Sequence, residues 1–320
     1  MSSDFSYRDY FRGGVVLGEL LRSEEAPSWH SKVPHDVSKT KNLIYLGCNV
    51  FKTIHIVETL CKVLDHLAVD YRAVGGPAFC CGIVPRQKGE VRMGQSMYRR
   101  TATAFDKFEP NKIVHWCPSC EEEFEHSESL RQVAGQQIHF SEFLYNILRT
   151  RKLPHSVTRR VALHYHTGGE RADRESNYAL AILKLIPGLE VVPLVAPDAF
   201  GSHCSSQGAI LKLGIDGYQH LVRQQFAELR QLRCDCIVTV YHSCHREYAK
   251  ARQVGDPELI NYVTLIAQSL GIDAPEDKFQ RLCERHSLDW AMSELLPIAE
   301  RRGIAKAAVE AVLKSQMALT

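Results

Sequence analysis

The feature that most constrains this chain is a set of cysteines placed at the ends of short apolar runs. The runs NLIYLG, YRAVGGPAF and NKIVHW each lead directly into cysteine, and helical patterns lie between them. Short strands that alternate with helices predict a parallel α/β sheet, in which the carboxyl ends of the strands meet at one edge. We therefore expect five cysteines to converge at that edge: Cys48, Cys80, Cys81, Cys117 and Cys120.

Residues 157–244 repeat this plan, which indicates an internal duplication. The runs RRVALHYH, LEVVPLVAPDAFGSH and CDCIVTV replace the three strands of the first half, and IVTVYHSC matches IVHWCPSC. The spacing agrees, since 35 residues separate Cys81 from Cys117 and 35 separate Ser205 from Tyr241. The predicted fold is α/β, with two pseudo-symmetric Rossmann-like halves on parallel sheets and with helices at the C-terminus.

The sequence divides into successive predicted segments. They are an N-terminal extension at 1–42, a domain with the complete cysteine motif at 43–152, a degenerate second copy at 153–254 and a helical segment at 255–320. The boundary between the copies is the basic, proline-containing stretch RTRKLPHSV. The extension has a loop-rich composition and is a candidate arm for a partner.

Five converging thiols exceed what the commoner cysteine sites use. A thioredoxin-like dithiol would explain CPSC but would leave Cys48, Cys80 and Cys81 without a role. A tetrahedral zinc site and a cubane iron–sulfur cluster each take four ligands. A larger or irregular iron–sulfur cluster accommodates a fifth thiolate, because adjacent cysteines can bind different irons or share one. Buried thiols without a metal are the remaining interpretation.

The spacing C-x31-CCG-x34-C-x2-C resembles the cysteine-rich CCG domain found in the B subunit of heterodisulfide reductase and in its relatives. The resemblance covers about residues 43–250. It implies a non-cubane [4Fe-4S] cluster, built as two fused smaller clusters, with the five cysteines as ligands. It also implies thiol–disulfide or persulfide redox chemistry at that cluster, within a multi-subunit oxidoreductase complex.

The same resemblance implies partners. In the family, an iron–sulfur C subunit and a flavin-bearing A subunit supply electrons, and the substrate is a disulfide, a thiol or protein-bound sulfur. Similar domains occur in subunits of succinate, glycolate and lactate oxidoreductases, so a non-catalytic electron-transfer or assembly subunit is the alternative. A third hypothesis, a zinc-bound interaction module, predicts a colourless protein without inorganic sulfide.

The second copy of the motif is degenerate. Thr167, Ser205 and Tyr241 replace three of its cysteines, and a hydroxyl is a poor ligand for iron–sulfur clusters. A second cluster of the same type is therefore not expected. The candidate ligands for a zinc or iron ion in this half are Cys204, Cys244, His166, His203 and His242. The alternative is a decayed site whose histidines are hydrogen-bonded polar residues.

Catalytic residues beyond the cysteines are not fixed by any motif, and four candidates stand out. His164 and His203 could supply protons to departing thiolates. Arg86 and Lys88 follow the vicinal pair, where cations could hold an acidic substrate group or lower the pKa of a thiol. The alternative for Arg86 and Lys88 is that they are charged loop residues exposed to solvent, without a role in the site.

Composition narrows the classes of function. Lysine and arginine number 39 against 37 acidic residues, and this formal net charge of +2 argues against a dedicated surface for nucleic acid or anionic membrane. No apolar run approaches the ~18–20 residues of a membrane-spanning helix. The N-terminus lacks a secretory pattern, so the expected compartment is the cytoplasm. Eleven cysteines in a reducing compartment favour metal ligation or redox chemistry over disulfides.

Overall fold

The computed structural model describes most of the chain as two compact units. The described residues are 6–29, 38–126, 133, 135–166, 169–195, 198–200 and 209–317. The first unit takes Met1–Val57, Leu67–Phe140 and Ser287–Thr320, and the second takes Glu58–His66 and Ser141–His286.

Short strands and longer helices alternate along the described residues. The strands are β1 (Asn42–Gly47), β2 (Tyr71–Gly75), β3 (Lys112–His115), β4 (Gln136–His139), β5 (Arg159–Tyr165), β6 (Leu189–Val195), β7 (Cys236–Thr239) and β8 (Glu258–Asn261). The helices are α1 (Tyr7–Leu21), α2 (Ile54–His66), α3 (Ile83–Gln87), α4 (Val91–Asp106), α5 (Pro118–His126), α6 (Phe140–Leu148), α7 (Glu170–Leu185), α8 (Ala209–Gln231), α9 (His242–Ala251), α10 (Tyr262–Ser269), α11 (Lys278–Arg285), α12 (Leu288–Arg301) and α13 (Lys306–Met317).

Each unit contains one four-stranded parallel sheet, and the two sheets have the same strand order. The orders are β2-β1-β3-β4 in the first unit and β6-β5-β7-β8 in the second. Strand β1 runs between β2 and β3, as β5 runs between β6 and β7. The predicted fold class, two parallel-sheet α/β halves with helices at the C-terminus, is therefore confirmed.

Each sheet also has a fourth strand that the sequence pattern does not predict. Strand β8 lies in the stretch DPELINYVTLIAQSLGI, whose pattern predicts helix throughout. Leu259 and Ile260 are buried and pair in parallel with β7, and the side chain of Asn261 then accepts a hydrogen bond from the Val263 amide to begin α10. A four-residue strand that runs straight into a helix leaves too little alternation for a strand to be recognised.

The N-terminal extension contains helix α1, although its composition suggests loops. Leu17, Leu20 and Leu21 are buried along this helix, at spacings of three and four residues that place them on one side. The guanidinium of Arg302 donates to the carbonyl oxygen of Glu19 within the first unit. Buried apolar packing and this bond hold the helix against the C-terminal helices of the same unit.

The core of the first unit lies directly behind the strand ends that carry the cysteines. Tyr45 packs on Phe105 with ring centroids 4.9 Å apart and on Phe124 at 5.3 Å. Cys81 and Cys120 are buried in this same apolar cluster. Close packing of large aromatic rings on both thiols makes this edge of the sheet rigid.

Among the helices of the described residues, none combines the length and the hydropathy that a membrane crossing requires.

Candidate metal centre

The structure brings the five cysteines of the first half into one contiguous group. Cys48 follows β1, Cys80 and Cys81 follow β2 through a short turn, and Cys117 and Cys120 lie at the start of α5. Their thiols form a chain of hydrogen bonds from Cys48 to Cys80, Cys81, Cys120 and Cys117. Residues that are far apart in sequence therefore present five sulfur atoms to one small volume.

The vicinal pair is held by a glycine that no other residue can replace without strain. Gly82 has φ +84°, and a Cβ there would lie 2.1 Å from the carbonyl oxygen of Gly94. Its amide donates to the Cys80 sulfur at 3.4 Å, and the Thr101 hydroxyl donates to the Cys80 carbonyl at 2.8 Å. These contacts fix the turn so that consecutive side chains enter the same site.

A second glycine keeps space between the sulfur atoms. Gly47 has φ +75°, and a Cβ at this position would lie 3.1 Å from the Cys120 sulfur and 3.3 Å from the Cys117 Cβ. Any side chain here would occupy the volume between the thiols. The site thus has both the donors and the open cradle that a polynuclear centre needs.

The group is covered on one side and open on the other. Cys80, Cys81 and Cys120 are buried, whereas Cys48 and Cys117 are partly exposed. Phe11 and Met97 pack against Cys80, so that helix α1 covers this part of the site. The thiols that solvent reaches are therefore those of Cys48 and Cys117.

The thiols shift each other's pKa values in opposite directions. The pKa of Cys80 is well below its ordinary value, because its sulfur accepts hydrogen bonds from Cys48 and Cys81. The pKa of Cys48 is well above its ordinary value, because of that same bond and of burial, and the pKa of Cys120 is raised by its hydrogen bonds to Cys117 and Cys81. Mutual repulsion thus opposes five thiolates, and a bound metal cation would favour the loss of their protons.

The two cations suggested by the sequence differ in their surroundings. The Arg86 guanidinium pairs with Glu123, with Nε 3.0 Å from Oε1, and this hydrogen bond raises the pKa of Arg86. Lys88 is exposed at the end of α3, where its amide donates to the carbonyls of Val84 and Pro85. Arg86 therefore ties α3 to α5 and supports the turn that carries the vicinal cysteines.

We expect Arg86→Gln to lower the free energy of unfolding by about 0.5 kcal/mol, because a half-exposed ion pair contributes little to stability. Iron content should not change, since Arg86 supplies no sulfur ligand. Urea unfolding and iron analysis of anaerobically purified protein measure both effects, with Lys88→Gln as the matched control. A loss of iron in Arg86→Gln but not in Lys88→Gln would contradict the expectation that this ion pair contributes little to the site.

The structure places some of the second-half candidates together and others elsewhere. His166 Nε2 lies 3.1 Å from the Cys244 sulfur, and His164, which the sequence suggested as a proton donor, completes the group. Burial lowers the pKa of His164. Among the described residues His242 is buried outside this group. The other candidates, Cys204 and His203, lie outside the described residues.

Several residues of the first site were not found from the sequence. Gly47, Phe11, Met97 and Thr101 shape or cover the thiol group, but none belongs to a cysteine or histidine pattern. A glycine directly before a strand-end cysteine was the only available signal, and its meaning depends on the backbone angle that the fold imposes.

The fold and the site together define an α/β protein of two parallel sheets with one five-thiol centre at the strand ends of the first. Residues 43–125 match the family described as cysteine-rich domain, CCG. The CCG domain that the cysteine spacing suggested is thereby confirmed for these residues.

Three curated relatives are similar over longer stretches. The D subunit of dihydromethanophenazine:CoB–CoM heterodisulfide reductase from Methanosarcina acetivorans is 22% identical, covering 79% of this chain and 64% of that protein. "EtfAB:quinone oxidoreductase" of Syntrophomonas wolfei is 23% identical, covering 74% and 35%. "Probable iron-sulfur-binding oxidoreductase FadF" of Bacillus subtilis is 23% identical, covering 49% and 22%. The chain spans less than two thirds of the length of each of these relatives.

Proposed function

We propose that this chain is an iron–sulfur redox subunit with one cluster at the five-thiol site. The proposed ligands are Cys48, Cys80, Cys81, Cys117 and Cys120. The observation that carries the proposal is their contiguous thiol group around the space that Gly47 leaves open. The names of the three relatives, which are oxidoreductases or subunits of them, support it. A cluster of the non-cubane [4Fe-4S] type accounts for five ligands where a cubane takes four.

The proposed reaction is reduction of a disulfide or oxidation of a thiol pair, or the equivalent chemistry of persulfide sulfur. Reduction of a disulfide consumes two electrons and two protons and yields two thiols. When bound, the cluster supplies single-electron transfer and iron atoms with affinity for sulfur. The open side beside Cys48 and Cys117 admits the substrate, while Phe11 and Met97 exclude water from the side of Cys80.

Because one cluster transfers electrons singly, the proposal includes partner subunits that deliver the second electron. An iron–sulfur protein like the C subunit and a flavoprotein like the A subunit of heterodisulfide reductase are the partners we propose. The description of one relative as a subunit of a heterodisulfide reductase supports a multi-subunit complex.

The second candidate function is that of an electron-transfer or assembly subunit without a substrate of its own. The similarity to a quinone oxidoreductase favours it, since that name denotes electron delivery to a quinone and not sulfur chemistry. The two candidates share the same cluster and differ in whether sulfur compounds bind it.

A sulfur substrate should change the magnetic properties of the cluster. We expect a candidate thiol, added anaerobically to protein treated with a one-electron oxidant, to give a new paramagnetic species in electron paramagnetic resonance spectra, because its thiolate would become a ligand of the oxidised cluster. The S-methylated form of the same thiol is the matched control, since it cannot bind as a thiolate. Identical spectra with every thiol and disulfide tested would favour the electron-transfer function.

A further inference from the structure

The second unit contains a buried group of two imidazoles and one thiol. His164, His166 and Cys244 are each no more than 1% exposed, and their possible ligand atoms all lie within 4.8 Å of one another. The two imidazole rings meet edge to face with centroids 4.6 Å apart. His166 Nε2 lies 3.1 Å from the Cys244 sulfur, and His164 also bonds that sulfur. Three donor atoms of metal-binding type thus point at one enclosed volume.

The orientation of His164 is fixed by a second layer of polar residues. The Tyr248 hydroxyl donates to the side-chain oxygen of Gln225. Its oxygen can therefore accept a hydrogen bond from His164 Nδ1, 3.0 Å away. With the proton on Nδ1, Nε2 carries the lone pair that can bind a metal ion. A hydrogen bond from the outer ring nitrogen is the usual way in which proteins orient a metal-binding histidine.

The two halves show why this group suits a single ion. In the first sheet Tyr45 of β1 pairs with His115 of β3. Two residues further along each chain segment, Gly47 corresponds in register to Cys117. In the second sheet Leu163 of β5 pairs with Val238 of β7. When the two sheets are aligned by these strand pairs, His166 corresponds to Gly47 and Cys244 corresponds to Cys120. The second half therefore has an imidazole at the position where the first half has a glycine. It offers one nitrogen donor in place of a residue without a side chain.

We propose that the second unit binds one Zn²⁺ ion through His164, His166 and Cys244. Two imidazoles and one thiolate form a borderline-soft donor set that Zn²⁺ accepts in tetrahedral sites. Three protein ligands leave one coordination position for water or another donor. The thiol proton is released on binding, so that Cys244 binds as thiolate and the site carries a net charge of +1.

Metal analysis of the full chain tests this site independently of the first. Anaerobically purified protein should contain about one zinc per chain. Cys244→Ser and His166→Gln should each lower zinc at least about tenfold, while iron and acid-labile sulfide stay unchanged. Cys283→Ser, which removes a buried thiol elsewhere in the same unit, should retain zinc. Zinc that is absent from the wild type, or equal in the wild type and both variants, would overturn the proposal.

Two further measurements distinguish metal bound in the second unit from metal bound at the first site. Because empty cysteine sites can take up zinc, zinc is assigned to the second unit only where Cys244→Ser lowers it in protein that retains its iron. Cobalt loading of wild-type protein that keeps its iron should give the visible bands of a tetrahedral thiolate site, and the same treatment of Cys244→Ser should not. Cobalt spectra that lack tetrahedral and thiolate bands would count against the site. Protein with one zinc and no iron would contradict only the proposed redox function.

Discussion

Cys81→Ser is expected to remove the cluster from the first unit, with iron falling from about four per chain to roughly a tenth of that value. Cys81 is the second member of the vicinal pair and the central thiol of the hydrogen-bonded group, linked to both Cys80 and Cys120. Serine keeps the size of the side chain but offers a hydroxyl, which is a poor ligand for iron in such clusters. A cluster without this ligand would lose its connection between the two loops.

The matched control for this variant is Cys283→Ser, because that thiol is also buried but lies far along the chain in the second unit. Both variants add one hydroxyl to an apolar environment, so both should lose a similar amount of stability. Iron, acid-labile sulfide and the electron paramagnetic resonance spectrum of the reduced protein measure the difference. Full iron content and an unchanged spectrum in Cys81→Ser would refute its role as a ligand.

The convergence of cysteines could be anticipated because it depends only on the rule that parallel strands end at one edge of a sheet. Runs such as NLIYLG identify β1 and β3, and the repeated spacing identifies the same plan in the second half. Strand β1 is buried along nearly its whole length, as strands in covered parallel sheets are. Local pattern and global topology agree here, which is why the fold class could be predicted.

Helix α1 could not be anticipated, because its formation depends on contacts with residues at the opposite end of the chain. The adjacent glycines Gly13 and Gly14 disfavour a helix on intrinsic propensity. In the structure a Cβ at Gly13 would lie 3.1 Å from the side chain of Gln316. The first glycine therefore lies in close contact with α13, and packing between these helices offsets the local cost of the two glycines.

The sequence pattern indicated only some of the residues that form the buried histidine group. His164 and His166 are two residues apart at the end of β5, so that an extended chain places both on one face. His242 begins α9 instead, and its direction depends on how that helix leaves the strand. The alternating HYH signal was available from the sequence, whereas the position of Cys244 relative to it required the pairing of β5 with β7.

Gly47→Ala is expected to abolish cluster binding although all five cysteines remain. The added Cβ would lie 3.1 Å from the Cys120 sulfur and 3.9 Å from the Cys117 sulfur, which are two of the proposed ligands. Because the methyl group cannot move away from its own backbone, the sulfur atoms would have to separate. We expect iron per chain to fall at least about tenfold, close to the effect of removing a ligand.

Backbone strain alone cannot produce this loss, and Gly89→Ala provides the comparison. Gly89 has φ +90°, near the +75° of Gly47, but a Cβ there meets no atom within 4 Å. Both alanines therefore carry a similar cost of about 1 kcal/mol for a left-handed backbone, and only one enters the site. Equal iron content in the two variants would show that the space beside Gly47 is not used by a cluster. A selective loss in Gly47→Ala would show that the proposed centre needs this position to remain without a side chain.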